Sequence, residues 1–67
     1  MAFKENMQRK RASLHLTQDQ AARILGISQK NLNAYEWGSA HPRWPVLKKI
    51  LDGYEIKKDK VYQFMFE

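Results

Sequence analysis

Seven carboxylates, two histidines and no cysteine are the groups with which this chain could do acid–base, nucleophilic or metal chemistry. A catalytic site needs such groups to converge. Here the carboxylates are scattered, and His15 and His41 stand alone, without other ligand types at metal spacing. No glycine-rich loop is present to cradle a phosphate, and without cysteine there is neither a disulfide framework nor a thiolate metal site. Neither an enzyme activity nor a metal or cofactor is expected. What remains is charge and hydrogen bonding. Twelve Lys+Arg against seven Asp+Glu give a net charge of +5 and a pI near 9.8. That balance attracts polyanions and meets the charge criterion for a nucleic-acid binder.

The groups that could exploit this charge must be held by helices. Thr17, with Gln20 three residues on, forms a capping box that opens a helix over Gln18 to about Leu25. Ser28 caps a second helix, from Gln29 to about Trp37. Gly26 sits between them, where the chain leaving one helix needs a left-handed residue. Ala22 is small where the two helices would approach most closely. Two short helices joined so tightly have the geometry of a helix-turn-helix. On the second helix, spacing puts Leu32 and Tyr35 on one side and Gln29, Lys30, Asn33, Ala34 and Trp37 on the other. The outward set is polar or small apart from Trp37, a composition shared by a groove-reading face and an ordinary solvated one.

The other elements follow from the same signals. Phe3, Met7 and Leu14 form an apolar stripe for a first helix from Phe3 to about Ser13, with Lys10 inside the stripe and its ammonium expected to snorkel. Ala21, Ala22, Ile24 and Leu25 make the inner side of the second helix. Gly38 to Pro42 is a loop. A fourth helix runs from about Trp44 to Asp52, accepts Pro45 in its first turn and buries Leu47, Ile50 and Leu51, with Gly53 ending it. A fifth runs from about Lys58 to Phe66. The chain lacks repeats, linkers and any apolar run that would span a membrane. Residues 1–67 are expected to be a single all-α domain, cytoplasmic in location.

The run Leu16-Thr17-Gln18 through Tyr35-Glu36, with Gly38 and Pro42 beyond it, resembles the DNA-binding domain of the Cro/CI-type phage repressors and the wider XRE-like bacterial regulators. Leu47, Lys49, Ile50 and Ile56 also fit the pattern. His15 stands where that family usually has glycine, and Trp37 where it often has asparagine. The resemblance implies a compact five-helix, lambda-repressor-like fold with the helix-turn-helix formed by helices 2 and 3. By position, it implies base contacts from Gln29, Lys30, Asn33 and Ala34. Gln29 could pair with adenine, Lys30 with guanine acceptors or a phosphate, Asn33 with adenine or a phosphate, and Ala34 with a thymine methyl. Gln18, at a helix N-terminus, is the leading phosphate contact, followed by Arg43, Lys10 and Ser39, with His41 below them. Arg11 corresponds to the family arginine that pairs with the glutamate at Glu36. Helical position puts that carboxylate on the core edge, where leaving it unpaired would be costly.

Together these features imply a sequence-specific regulator of double-stranded DNA, a Cro-like or small phage-type repressor that binds a palindromic operator as a homodimer through the major groove. With no room for a separate pairing domain, the dimer surface would come from the C-terminal half. Trp37 is expected to pack on the Pro42 loop, the sugar–phosphate backbone and a dimer contact being its other placements. Trp44 is expected in the core, as is most of the aromatic run from Tyr62 to Phe66, although one helix face cannot bury all of it. The competing function is a protein-interaction module, such as an antitoxin with the same fold, whose working surface would be that aromatic run.

Overall fold

The computed structural model describes residues 2–67. Helix α1 spans Ala2–Ser13, α2 Gln18–Leu25, α3 Gln29–Trp37, α4 Trp44–Gly53 and α5 Val61–Phe66, with a 3-10 turn at Lys58–Lys60 leading into α5. Among the described residues there is no strand. The caps set the starts of the two central helices. Thr17 Oγ1 accepts from the Gln20 N–H at 3.1 Å while the Thr17 N–H donates to Gln20 Oε1 at 2.9 Å. Ser28 Oγ accepts from the Asn31 N–H at 3.1 Å.

The first four helices share one kind of ending. A left-handed residue follows each: His15 at φ 57°, Gly26 at 71°, Gly38 at 81° and Glu55 at 57°. The next N–H then bonds back to a carbonyl five residues earlier: Leu16 to Arg11 at 3.2 Å, Ile27 to Ala22 at 3.0 Å, Ser39 to Ala34 at 3.0 Å and Ile56 to Leu51 at 2.8 Å. This is the Schellman arrangement, which satisfies carbonyls the helix leaves open. Leu16, Ile27 and Ile56 also lay their side chains on the core, the apolar contact that accompanies such endings.

The core draws on every helix: Phe3 and Met7 from α1, Ala21, Ala22 and Leu25 from α2, Leu32 and Tyr35 from α3, Ile50 and Leu51 from α4, Tyr54 just after it, and Phe64 and Met65 from α5. The ends of the chain are clasped together. Asn6 Nδ2 donates to the carbonyls of Phe64 at 2.8 Å and Gln63 at 3.2 Å, and the Phe3 ring meets Phe64 edge-on at 5.8 Å.

Several expectations are corrected. Leu14 is 44% exposed, because α1 stops at Ser13 and the turn at His15 carries residue 14 off the apolar stripe. Ile24 is 53% exposed; the buried arc of α2 centres on Leu25, and position 24 lies about 100° away from it. Trp44 is 63% exposed. Helical side chains lean toward the N-terminus, so the ring of a first residue projects past the core. Trp37 is 71% exposed, while Pro42 is buried without it.

Gly53 does not end α4 by a left-handed turn; Glu55 does that. Gly53 instead lets α2 and α4 touch, since a Cβ there would lie 2.6 Å from Leu25 Cδ2 and 3.3 Å from Leu25 Cα. The last helical stretch also begins as a 3-10 turn, not as α-helix from Lys58.

Candidate nucleic-acid interface

α3 carries an exposed arc. Gln29, Lys30, Asn33 and Trp37 are exposed and Ala34 is half-buried, while Leu32 and Tyr35 on the opposite side are buried. Gln29 and Lys30 make no side-chain hydrogen bond to another described residue, so their polar groups are available to a ligand.

Behind the arc lies a polar hub around Glu36, which is only 2% exposed. Arg11 approaches it in two-pronged fashion, Nε donating to Oε2 at 2.8 Å and Nη2 to Oε1 at 3.1 Å. Its Nη1 donates to the Leu16 carbonyl at 3.0 Å. The hydrogen-bonded carboxylate raises the Arg11 pKa above its ordinary value, more than burial lowers it. Gln8 Nε2 donates to the Glu36 carbonyl at 2.6 Å. Gln18 completes the hub, its Nε2 donating to Glu36 Oε1 at 3.2 Å and to Asn33 Oδ1 at 3.1 Å. One carboxylate thus ties α1, the start of α2 and the outer edge of α3 together.

Tyr54 lies close enough to feel both charges of this pair. Burial, and then the charge of Glu36, push its pKa up to about 12, with Arg11 opposing. Its hydroxyl is buried without a hydrogen-bond partner.

The other candidate residues fall in different places. Gln18 stands at the first position of α2, but both hydrogens of its amide are engaged within the protein. Its capacity to hold a phosphate therefore rests on its backbone N–H and that of Asp19, which have no partner inside the helix. Arg43 is exposed at the start of α4 and makes no capping bond with its side chain. Ser39 is exposed, but its hydroxyl donates to the Ala34 carbonyl at 3.3 Å. Lys10 lines a groove between α1 and α5 together with Arg9, Lys60 and Gln63, and no residue of α3 lines that groove.

Reading by position alone missed Gln8, Gln18's second role and Tyr54. Gln8 was the most accessible of these, because it shares the face of α1 that carries Arg11.

Residues 7–62 match the helix-turn-helix domain family. The chain belongs to that family. No curated protein and no solved structure matches it. Helix-turn-helix domains of this kind bind DNA and are typically not enzymes, so a DNA-binding regulator is the class of function the family implies. Here the motif is α2, the Gly26 turn and α3, and the exposed arc is the outer surface of its second helix. Among the described residues no helix is long and apolar enough to cross a membrane.

Proposed function

We propose that this helix-turn-helix domain is a sequence-specific regulator of double-stranded DNA, of the Cro/CI type within the XRE-like regulators, and that it represses by occupying its operator. In this reading residues 1–67 act as a single domain, in the cytoplasm of a bacterial or phage-infected cell. α3 enters the major groove, where Gln29, Lys30 and Asn33 meet base edges and Ala34 offers an apolar contact to a thymine methyl. The N-terminus of α2 takes a phosphate on the backbone N–H groups of Gln18 and Asp19, and Arg43 takes another as a mobile cation. Ser39 and Lys10 are secondary phosphate contacts. Trp37, on the same arc as Asn33 and Lys30, lies along the sugar–phosphate backbone.

The observation that carries this reading is the contact between Gln18 and Asn33 at 3.1 Å. It sets a helix N-terminus suited to a phosphate directly beside a helix face suited to bases, so one duplex can meet both. Such a module contacts too few base pairs for strong specificity, and two copies on half-sites about 34 Å apart remedy this. Tyr62 and Phe66, 66% and 65% exposed and 5.1 Å apart as a ring pair, supply the apolar surface for pairing two copies.

The same exposed pair favours a second reading, a module of antitoxin type whose aromatic surface holds a different protein. Selection of random duplexes by the purified protein separates the two. Enrichment of a two-fold symmetric site, with affinity falling steeply as salt rises, is expected of the regulator. No enrichment at low salt would defeat it.

A further inference from the structure

We propose that the groove between α1 and α5 is a docking site for an acidic, amphipathic helical segment of another protein. The groove encloses about 560 Å³, the size of cavities that take a small ligand or a few side chains. Positions 6, 9, 10 and 13 line one wall, and positions 60, 63, 64 and 67 line the other. Each set has the i, i+3, i+4, i+7 spacing of a single helical row, so each wall is about two turns, or roughly 10 Å, long. The walls are held together before any partner arrives. Asn6 of α1 donates to the carbonyls of Phe64 at 2.8 Å and Gln63 at 3.2 Å, so a partner meets a preformed groove and little freedom is lost in shaping it.

The chemistry of the occupant follows from the lining. Ile56, half-buried, and Phe64, buried, give an apolar floor. Arg9, Lys10 and Lys60 stand around it, with Glu67 as the one acidic side chain of the groove. Arg11, Arg23 and Lys48 each meet a carboxylate, of Glu36, Asp19 and Asp52 in turn. Among the described residues the three groove cations have no carboxylate within such a distance, and Arg9 bonds only the neutral Asn6, at 3.2 Å. The groove therefore carries uncompensated positive charge around an apolar floor.

A matching ligand sets an apolar edge inward and carboxylates on either side of it, which describes an acidic amphipathic helix laid in a groove. A duplex matches less well. Its phosphates would satisfy the cations but leave the apolar floor facing water, and no residue of α3 lines the groove. Positions 62 and 66 fall outside the row formed by 60, 63, 64 and 67, on the other side of the α5 stretch. The groove is thus separate from both the base-reading face and the aromatic pairing surface proposed above, and the proposal does not depend on either.

The test uses the whole chain, isotope-labelled for NMR, and three synthetic peptides of about 15 residues. The first has leucines along one helical face and glutamates elsewhere. The second has lysines in place of the glutamates, and the third has the acidic composition in scrambled order. We expect only the first to bind, moving the backbone amide signals of Arg9, Ser13, Gln63 and Phe64 and leaving those of Gln29 and Asn33 in place. Lys60→Glu should weaken its binding by roughly fivefold and Glu67→Lys should strengthen it by a similar factor, both variants keeping the wild-type Tm. No binding by the first peptide, signals centred on α3 or on Tyr62 and Phe66, equal binding of the scrambled peptide, or unchanged affinity in both variants would overturn the proposal. So would a duplex that moves the four groove amides as far as the peptide does, which would give the groove to nucleic acid instead.

Discussion

Replacing Arg11 by methionine keeps an apolar stem in place and removes the guanidinium from Glu36. The loss falls mainly on the partner left behind. The Glu36 side chain is 3% exposed and the Arg11 side chain 24%, so the orphaned carboxylate is the deeper charge. Breaking one side of a buried pair costs about 3–5 kcal/mol. Two features of this site reduce that. Gln18 still donates to Glu36 Oε1 at 3.2 Å, and the exposed flank of Arg11 admits water once the guanidinium has gone. The bond from Arg11 Nη1 to the Leu16 carbonyl at 3.0 Å is also lost. We expect a net destabilisation of about 2–3 kcal/mol.

At 0.05–0.15 kcal/mol per residue the whole domain holds on the order of 3–10 kcal/mol, so this is a large share. It corresponds to a drop in Tm of about 10–20 °C. The measurement is a thermal melt by circular dichroism at neutral pH, repeated in urea to check that the slope is unchanged. Glu36→Leu combined with Arg11→Met should recover most of the loss, because no unpaired charge remains buried. A Tm for Arg11→Met within about 2 °C of wild type would refute the reasoning. So would a double variant that melts below Arg11→Met alone.

Three further substitutions test the fold around this hub. Tyr54→Phe removes a buried hydroxyl without a partner, so at pH 7 it should leave the Tm unchanged or raise it slightly. Folding lifts the Tyr54 pKa from an ordinary 10 to about 12. The folded state therefore keeps a proton that the unfolded state gives up, and stability present below pH 10 is lost as pH rises through 12. Wild type should lose on the order of 2 kcal/mol more than Tyr54→Phe across that window; parallel urea-stability curves would contradict this. His15→Gly should raise the Tm by a few degrees, because φ 57° strains a residue with a side chain by about 1–2 kcal/mol, partly offset by glycine's greater unfolded freedom. A lowered Tm would show that the His15 side chain contributes more than its backbone costs. Gly53→Ala should destabilise by about 1–2 kcal/mol despite its better helix propensity. Its Cβ would meet Leu25 at 2.6 Å, and Leu25 is buried with little room to move. A higher melting temperature would contradict that close packing.

The helix boundaries were legible because their signals are local. Thr17 with Gln20, Ser28, Gly26 and Pro45 each act within one turn, and α2 and α3 begin and end where these residues place them. Burial was less legible, because an apolar side chain is covered only if another element lies opposite. Ile24, Trp37 and Trp44 have the composition of core residues and lack that neighbour. Gly53 shows another limit. A glycine near a helix end reads equally as a left-handed residue or as space for a neighbouring helix, and only the position of Leu25 tells them apart. The left-handed Glu55 carries no residue signal at all. At the candidate site, helical position separates the exposed arc of α3 from Leu32 and Tyr35. It cannot show that Gln18 reaches both Asn33 and Glu36, residues fifteen and eighteen positions away.

Those long contacts matter because the core is small. Apolar packing is non-directional, so a few side chains such as Leu25 and Leu32 resist separation of α2 and α3 better than they resist rotation of one over the other. Directional bonds supply what packing lacks. Arg11 fixes Glu36 from the α1 side and Gln18 fixes it from the α2 side, which sets both the tilt of α3 and its rotation about its own axis. The outermost link of that set is Asn33, on the arc offered to a ligand. A change at Arg11 should therefore appear first as lost stability. A change at Gln18, which leaves the two-pronged contact intact, should leave most of the stability and alter what the exposed arc accepts.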